Sequence, residues 1–308
     1  EFTDPLDILT HLMVGSEGCL GFISSVTFNT VADYPHRASG LLVFPSVRSC
    51  CAAVLLLKTA AVSAVELLDR RSLRSVEHKA GMPLWVKGLS EDACALLVET
   101  TAASSNALQQ QLAVLQTLIQ QFALEQQVDF SSDPEVYNQL WAIRKGTFPA
   151  VGAVRQTGTT VVIEDVTFPL EKLAEGVSRL QQLFDKYHYH EAIIFGHALE
   201  GNLHFVFTQG FDDSREVARY DAFMQDVTAL VATEFGGSLK AEHGTGRNMA
   251  PFVKLEWGED AYQLMWQIKK LLDPNHILNP DVVLSHNPQL HLQHLKPLPQ
   301  TNDLVDKC

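Results

Sequence analysis

The stretch AIIFGHALEGNLHFVFTQ, residues 192–209, predicts two apolar strands joined by a short turn. The first run ends at His197 and the second contains His204, with Gly201 in the connection between them. Glycine is common where a chain reverses direction tightly, because it tolerates backbone angles that other residues avoid. If the two runs pair across this turn, both imidazoles lie close together on adjacent strands of an antiparallel sheet.

Strands and helices alternate around this hairpin, over residues 39–284. Apolar runs such as GLLVFP (40–45) predict strands, and SNALQQQLAVLQTLIQQF (105–122) has the periodicity of an amphipathic helix. Strands that follow one another through short turns are mixed with long crossover helices. This mixture predicts an α+β fold, an antiparallel sheet with helices on one face that is built from two ferredoxin-like halves.

The two ends of the chain differ from this central part. Residues 1–30 contain one short helix, the glycine-rich turn VGSEGCLG and the alternating run FISSVTF, which cannot form a core by themselves. We expect them to be the end of another domain. Residues 286–308 are polar, rich in proline and without periodicity, as is typical of a linker. The central domain is therefore assigned to residues 31–285.

Composition argues against two classes of partner. The formal net charge of the 308 residues is -13, and no basic stripe offsets it locally, which argues against nucleic-acid binding. The longest apolar stretches, such as CCAAVLLL at 50–57, are much shorter than the roughly 20 residues that cross a bilayer, so no membrane span is expected.

The cysteines indicate a reducing compartment, and we expect a cytoplasmic location. There are five, an odd number, and Cys50 and Cys51 are adjacent in an apolar helical run where their side chains diverge. Together with Cys19 and Cys94 they are expected to be small buried apolar residues. Cys308 is the last residue and is considered separately below.

His197 and His204 suggest a metal site. Two close neutral imidazoles and a carboxylate bind a divalent cation and leave positions open, as catalytic zinc sites require. Glu242, in the segment KAEHGTGR, is the candidate carboxylate. On spacing alone, ordinary strand histidines satisfied by hydrogen bonds remain an alternative.

His243 directly follows Glu242, and neighbours on an extended segment point to opposite faces. Gly244 and Gly246 can bend the backbone and relax that constraint. A histidine beside a metal can remove a hydroxyl proton, so His243 is a candidate base. A turn histidine that caps the following helix is the alternative.

Arg144, in NQLWAIRKG, can hold a carboxylate through two parallel hydrogen bonds, although most helix arginines are simply solvated. Glu164 and Asp165, in VVIEDVTFP, are expected to support or cap other groups and not to act as catalysts.

Four segments in order, MVGSEGCLGFISSVTF, FGHALEGNLHFVF, KAEHGTGR and LLDPNHILNPDVVL, closely resemble the FAD-linked oxidases of the D-lactate, glycolate and D-2-hydroxyglutarate dehydrogenase group. The resemblance covers nearly the whole chain. It implies the FAD-linked oxidase C-terminal fold for residues 31–285, as the substrate or cap domain, and the C-terminal end of an FAD-binding domain for residues 1–30.

The resemblance also implies roles for individual residues. It makes His197, His204 and Glu242 the ligands of a divalent metal, usually zinc. It makes His243 the base and Arg144 the group that binds the substrate carboxylate. The residues that it places near FAD are Gly15, Ser16, Glu17, Gly18 and Asn279.

The closing segment LVDKC resembles the entry to a ferredoxin-type segment, which implies that Cys308 is a ligand of a four-iron four-sulfur cluster in a further domain. An ordinary C-terminal cysteine is the alternative. The chain would then be the middle of a longer flavin and iron-sulfur polypeptide, and inactive alone.

The implied reaction is oxidation of a small D-2-hydroxy acid to the 2-oxo acid, with D-2-hydroxyglutarate expected first and D-lactate next. Electrons would pass from FAD to the iron-sulfur domain and then to an acceptor that the sequence does not identify. Two other functions remain open, a metal-dependent hydrolase built on the same two histidines and Glu242, and a non-catalytic domain that binds a carboxylate.

Overall fold

A computed structural model of the protein describes residues 2–79 and 82–295. In this part of the chain, seven antiparallel strands form a sheet with the order β4-β1-β3-β2-β6-β7-β5. The strands are β1 (His36–Phe44), β2 (Ala64–Asp69), β3 (Cys94–Ala102), β4 (Gln126–Ser131), β5 (Thr159–Thr167), β6 (Ile193–His197) and β7 (Asn202–Gly210).

The helices begin largely where the sequence provides capping side chains. Ser104 accepts a hydrogen bond from the backbone of Ala107, and Asp133 accepts one from Glu135 with Pro134 in the first turn. The helices are α1 (Pro5–Met13), α2 (Val47–Leu57), α3 (Arg70–Val76), α4 (Ser105–Ile119), α5 (Pro134–Val154), α6 (Leu173–Lys186), α7 (Ser214–Thr228) and α8 (Val253–Leu272), the last interrupted at Gly258.

The sheet consists of two ferredoxin-like halves. The first runs β1-α2-β2-β3-α4-β4 with spatial order β4-β1-β3-β2. The second runs β5-α6-β6-β7-α7, and a single bridge between Thr167 and Ser238 occupies the place of its fourth strand. The halves are joined edge to edge by β2 and β6. The predicted α+β class with an antiparallel sheet and ferredoxin-like halves is confirmed.

Helices cover both faces of the sheet, which adds a layer to the predicted arrangement. The larger core packs α2, α4, α6 and α7 on one face, and a second core packs α3 and α5 on the other. In β1, Leu42 belongs to the first core and Leu41 to the second, and both are at most 1% exposed. A continuous apolar run of this kind is typical of a strand that is covered on both faces.

The alternation in FISSVTF, residues 22–28, is typical of a strand, but the run forms none. Phe22 is 89% exposed and Phe28 is 80% exposed. A strand needs a neighbour to accept and donate its backbone hydrogen bonds, and no strand among the described residues pairs with this run.

The segment SLKAE, residues 238–242, has the composition of a strand but is irregular beyond the bridge at Ser238. The backbone N–H groups of Ala241 and Glu242 donate to the side chain of Asp165 and not to a neighbouring strand. The Asp165 carboxylate accepts hydrogen bonds that a neighbouring strand would otherwise accept, and this arrangement shapes the site described below.

Other expectations concern the surface and the cysteines. No helix in the two described ranges is both long and apolar enough to cross a membrane. Cys19, Cys50, Cys51 and Cys94 are free and buried, as expected. Cys308 lies outside the described residues. The start of the predicted linker is packed, since Leu290 and His291 are buried and His291 Nε2 lies 2.8 Å from Asp221 Oδ1.

Gly201 and Gly236 offer a matched test of the hairpin turn. Both have a φ of +65°, but a Cβ at Gly201 would overlap the carbonyl oxygen of Phe168, whereas a Cβ at Gly236 meets open space. We expect Gly236→Ala to lower the free energy of unfolding by roughly 1–2 kcal/mol from the left-handed backbone alone. Gly201→Ala should lower it by roughly 2–5 kcal/mol, because steric overlap adds to that cost. Urea denaturation measures both, and equal losses would contradict the turn geometry.

Candidate metal centre and substrate site

The β6–β7 hairpin brings the two strand histidines together as predicted. His197 is the last residue of β6, and His204 lies opposite Phe195 in β7. The connection is one short helical turn that ends at Gly201 in the left-handed conformation. The ring centroids of His197 and His204 are 5.2 Å apart.

Glu242 completes a three-residue cluster with these histidines. Its Oε1 atom lies 3.2 Å from His197 Nε2 and 3.1 Å from His204 Nε2. One ligand atom from each of the three residues lies within 4.8 Å of the others. One carboxylate oxygen therefore faces two imidazole nitrogens, which is the donor set of a divalent-metal site.

Asp165 holds the loop that carries Glu242. Its Oδ2 atom accepts hydrogen bonds from the backbone N–H groups of Ala241, Glu242 and His243 at 3.2, 2.7 and 3.1 Å. Burial opposes ionisation of this carboxyl, but these bonds and the charge of Lys240 outweigh it and lower its pKa. The loop is curled around an anion and is not extended.

This curl explains how neighbouring residues can serve one site. The His243 ring stacks on the His204 ring with centroids 4.7 Å apart, and His243 Nε2 is 3.8 Å from Glu242 Oε1. Gly244 follows with a φ of +78°, so the backbone turns where the sequence indicated. The structure thus brings His243 against the cluster.

The two strand histidines have different electrostatic environments. Burial, followed by the charge of His243, lowers the pKa of His204 to about 4, so its ring is neutral near pH 7 and available as a ligand. The hydrogen bond to Glu66 raises the pKa of His197. Because Glu66 binds His197 Nδ1, the Nε2 atom remains for a cation.

Glu66 is the site residue that sequence reasoning missed. It is 4% exposed on β2, directly opposite His197 in the sheet register. Its Oε1 atom lies 2.6 Å from His197 Nδ1, and its Oε2 atom accepts a 2.6 Å bond from Arg144 Nε. Burial raises the pKa of this carboxyl, but the His197 bond and the Arg144 charge outweigh burial and lower it overall. The available signal was a charged residue inside the apolar strand AVELLD.

Arg144 reaches the same region from α5. Its guanidinium lies over the Phe195 ring, 4.3 Å from the ring centroid, and its side chain is 15% exposed. Glu66 engages Nε, and the terminal nitrogens form no hydrogen bond with the residues that the structure describes. An arginine fixed in this way presents two donors, the arrangement that a carboxylate accepts.

The predicted cofactor-side residues are tied to the same loop. The Glu17 carboxylate accepts hydrogen bonds from the backbone of Thr245 at 2.5 Å and Gly246 at 2.8 Å. Asn279 Nδ2 donates to the carbonyl oxygen of Glu17 at 2.5 Å. The GSEG turn, the segment around Asn279 and the loop with Glu242 and His243 therefore form one connected unit.

These contacts limit how the turn could meet a flavin. The Ser16 hydroxyl donates to the Met13 carbonyl oxygen, and the Glu17 and Asn279 side chains are engaged with protein as described. Gly15 and Gly18 have φ values of +79° and +75°, and a Cβ at Gly15 would meet open space. The turn therefore offers a cofactor mainly its backbone, with glycine permitting close approach.

A second group of three, Asp165, His204 and His243, also lies within ligand distance. Asp165 Oδ2 already accepts three hydrogen bonds, and its Oδ1 is 3.4 Å from the Lys240 ammonium. A positive charge there opposes a bound cation. The cluster of His197, His204 and Glu242 is therefore the better candidate for a cation site. The side chains of His197 and Glu242 are 42% and 46% exposed, which leaves an open side for a further ligand.

Comparisons with known proteins identify the family to which the chain belongs. Residues 34–283 match the family described as FAD linked oxidases, C-terminal domain. The chain is 32% identical to "D-lactate dehydrogenase [cytochrome], mitochondrial" of Arabidopsis thaliana, over 88% of this chain and 46% of that protein. It is 29% identical to "Probable D-2-hydroxyglutarate dehydrogenase, mitochondrial" of Oryza sativa subsp. indica, over 90% of this chain and 48% of that protein.

The chain thus spans about half the length of the curated relatives it matches. Among solved structures, an alkyldihydroxyacetonephosphate synthase is similar with a TM-score of 0.59 and 14% identity, over 88% of this chain and 48% of that one. At this identity the likeness supports the fold alone.

Zinc binding by the chain tests the cluster. We expect uptake of one zinc ion per chain. Mutation of a group that only supports a metal ligand typically weakens metal affinity by roughly 10–100-fold. Glu242→Gln should weaken zinc affinity by more than this, because it removes a ligand. Glu200→Gln is the matched control, since Glu200 lies in the same hairpin connection with a 75% exposed side chain. Calorimetric competition against a chelator measures both, and equal affinities of the two variants would contradict the cluster.

His204 should make the metal-free chain less stable in acid. Its folded-state pKa of about 4 is below its ordinary value of 6.5, so the unfolded chain binds the proton more tightly. The free energy of unfolding should therefore fall by on the order of 2–3 kcal/mol between about pH 6.5 and pH 4 on account of this group. Denaturant titrations in chelator should show that His204→Gln removes this part of the pH dependence.

His190→Gln is the control for that measurement, because the His190 side chain is 65% exposed. Identical pH profiles for wild type and His204→Gln would show that the His204 ring is not held neutral.

Proposed function

Because the chain belongs to the FAD-linked oxidase family that includes D-lactate and D-2-hydroxyglutarate dehydrogenases, we propose that it forms the substrate half of a flavin-dependent dehydrogenase that oxidises a D-2-hydroxy acid to the 2-oxo acid. In this proposal residues 31–285 are the substrate domain, and residues 1–30 belong with the FAD-binding part.

The observation that carries the proposal is the carboxylate of Glu66, which links the two kinds of group that a 2-hydroxy acid requires. Its Oε1 atom contacts His197 of the cation cluster and its Oε2 atom holds Arg144. A 2-hydroxy acid has a carboxylate and a hydroxyl on adjacent carbons. Glu66 brings an arginine and the cation cluster to one place, so both kinds of group are present side by side.

The residues would then have separate roles. Arg144 binds the substrate carboxylate through its terminal nitrogens. His197, His204 and Glu242 hold a divalent metal, which we expect to be zinc and which, when bound, would supply Lewis acidity at the substrate hydroxyl. His243 lies against the cluster and accepts the hydroxyl proton. Fixing acid, base and substrate in this way lowers the entropic part of the barrier.

FAD, when bound, would supply the two-electron acceptor for the C2–H bond. The chain's contribution on that side is the connected unit of Glu17, Asn279 and the loop backbone at Thr245 and Gly246. This unit would keep the base at a fixed position relative to the cofactor. The four-iron four-sulfur cluster beyond FAD, with Cys308 as a ligand, stays a prediction.

The charge of the site favours a small monocarboxylate such as D-lactate over a dicarboxylate. Within the described ranges the terminal nitrogens of Arg144 have no hydrogen-bond partner, whereas Lys240 is already paired with Glu164 and Asp165. A second carboxylate on the substrate needs a second cation of its own, since an unpaired buried charge is costly. D-2-hydroxyglutarate is therefore the second candidate substrate.

Arg144→Lys tests the proposal in the FAD-loaded enzyme. The lysine keeps the charge but loses the paired donors, so we expect kcat/KM for D-lactate to fall at least about 100-fold, within the range for truncating one partner of a hydrogen-bonded charge pair. Dye reduction with D-lactate, L-lactate and D-2-hydroxyglutarate measures the activity and the choice of substrate.

Arg179→Lys is the control, because Arg179 pairs with Glu234 on the far surface of α6 and its side chain is 40% exposed. A flavin-loaded enzyme that oxidises no 2-hydroxy acid would refute the proposed reaction. An active enzyme with equal kcat/KM for Arg144→Lys and wild type would refute the role of Arg144 alone.

A further inference from the structure

We infer that Asp165 is the positioning residue for His243: it fixes the imidazole with its proton on Nδ1 and so leaves Nε2 free to accept a proton. Only one part of this inference rests on the proposed function, namely that the free Nε2 atom accepts the hydroxyl proton of a substrate. The arrangement itself concerns groups of this chain.

The two oxygens of Asp165 have different environments. Oδ2 accepts the three backbone hydrogen bonds from residues 241–243 described above. Oδ1 is buried and has no hydrogen-bond partner in the described part of the chain. It faces the Lys240 ammonium at 3.4 Å and His243 Nδ1 at 3.7 Å. A buried acceptor without a hydrogen bond is costly, so the donors beside it, among them a protonated His243 Nδ1, are expected to turn toward it.

His243 has the complementary arrangement. Its Nδ1 faces Asp165 Oδ1, and its Nε2 faces Glu242 Oε1 at 3.8 Å, on the side of the metal cluster. A carboxylate beside Nδ1 favours the tautomer with the proton on that nitrogen. The lone pair of the neutral ring is then on Nε2, the nitrogen nearest to the cluster. The separation of 3.7 Å is longer than a hydrogen bond, and contacts of this type often shorten when substrate binds.

The position of Asp165 in the sheet makes this arrangement rigid. It is fully buried on β5 and lies directly opposite His204 of β7 in the register. The same strand pair therefore fixes a cluster histidine and the carboxylate that faces the base. Because the backbone bonds hold Oδ2, the carboxylate cannot rotate away from His243 without breaking them.

Asp165→Asn separates this role from simple support of the loop. The amide is nearly the same size and keeps one oxygen to accept from the backbone of residues 241–243. Its NH₂ group, however, presents a donor to His243 Nδ1 in place of an acceptor. The variant is therefore expected to keep the fold and to move the imidazole proton to Nε2, the change known to inactivate a base that an aspartate orients.

The matched control is Glu164→Gln. Glu164 is the neighbouring buried carboxylate on β5, and it pairs with Lys240 and Asn248 of the same loop without contacting His243 in the described structure. A role in supporting the loop is shared by both carboxylates. An effect on the imidazole proton is expected only for Asp165.

The experiment is long-range ¹H–¹⁵N NMR of the zinc-loaded chain with labelled histidine, with the His243 signal assigned by its loss in His243→Gln. We expect His243 to carry its proton on Nδ1 in wild type and in Glu164→Gln, and on Nε2 in Asp165→Asn. In the FAD-loaded enzyme, Asp165→Asn should lower kcat by about 10⁴-fold with little change in KM, the size seen when the orienting aspartate of a catalytic histidine becomes asparagine.

A wild-type His243 protonated on Nε2 would overturn the inference, and so would an unchanged tautomer in folded Asp165→Asn. If Asp165→Asn fails to fold, the wild-type spectrum decides alone. Because the NMR measurement needs neither FAD nor substrate, it separates this inference from the proposed function. An enzyme without 2-hydroxy acid oxidation would refute the function, and the tautomer would still test the role of Asp165.

Discussion

The site depends on one buried carboxylate, Glu66, at the seam between the two ferredoxin-like halves. Pairing of β2 with β6 sets Glu66 opposite His197. The helix α5, which connects the two halves in the chain, brings Arg144 to the second carboxylate oxygen of Glu66. Removing one partner from a buried charged pair typically costs about 3–5 kcal/mol. His197 and Arg144 are therefore positioned together by one carboxylate, and neither half forms this arrangement alone.

Two further candidate residues, Glu242 and His243, lie on a loop without regular structure, which is held by carboxylates from distant parts of the chain. Glu164 pairs with Lys240, Asp165 accepts three backbone N–H groups, and Glu17 accepts those of Thr245 and Gly246. Such partners satisfy backbone groups that a strand would otherwise satisfy. The loop can thus curl and turn neighbouring side chains toward one site, while remaining fixed.

Local sequence pattern was sufficient to predict the hairpin with His197 and His204 and the helix α4. Strand length, a glycine in the turn and the helical period can each be recognised in a short stretch of sequence. Glu66 was not predictable in this way. Its role depends on the register between strands separated by more than a hundred residues in sequence, and on an arginine from a third element. The run at residues 22–28 shows the converse, because its alternation is strand-like but no described strand pairs with it.

Anomalous X-ray diffraction at the zinc edge, from crystals of the zinc-equilibrated chain, locates the cation among these side chains. We expect one strong peak about 2.0–2.2 Å from His197 Nε2, His204 Nε2 and a Glu242 oxygen, the usual lengths of zinc–nitrogen and zinc–oxygen bonds. A peak between Asp165, His204 and His243, or none at either cluster, would contradict this expectation.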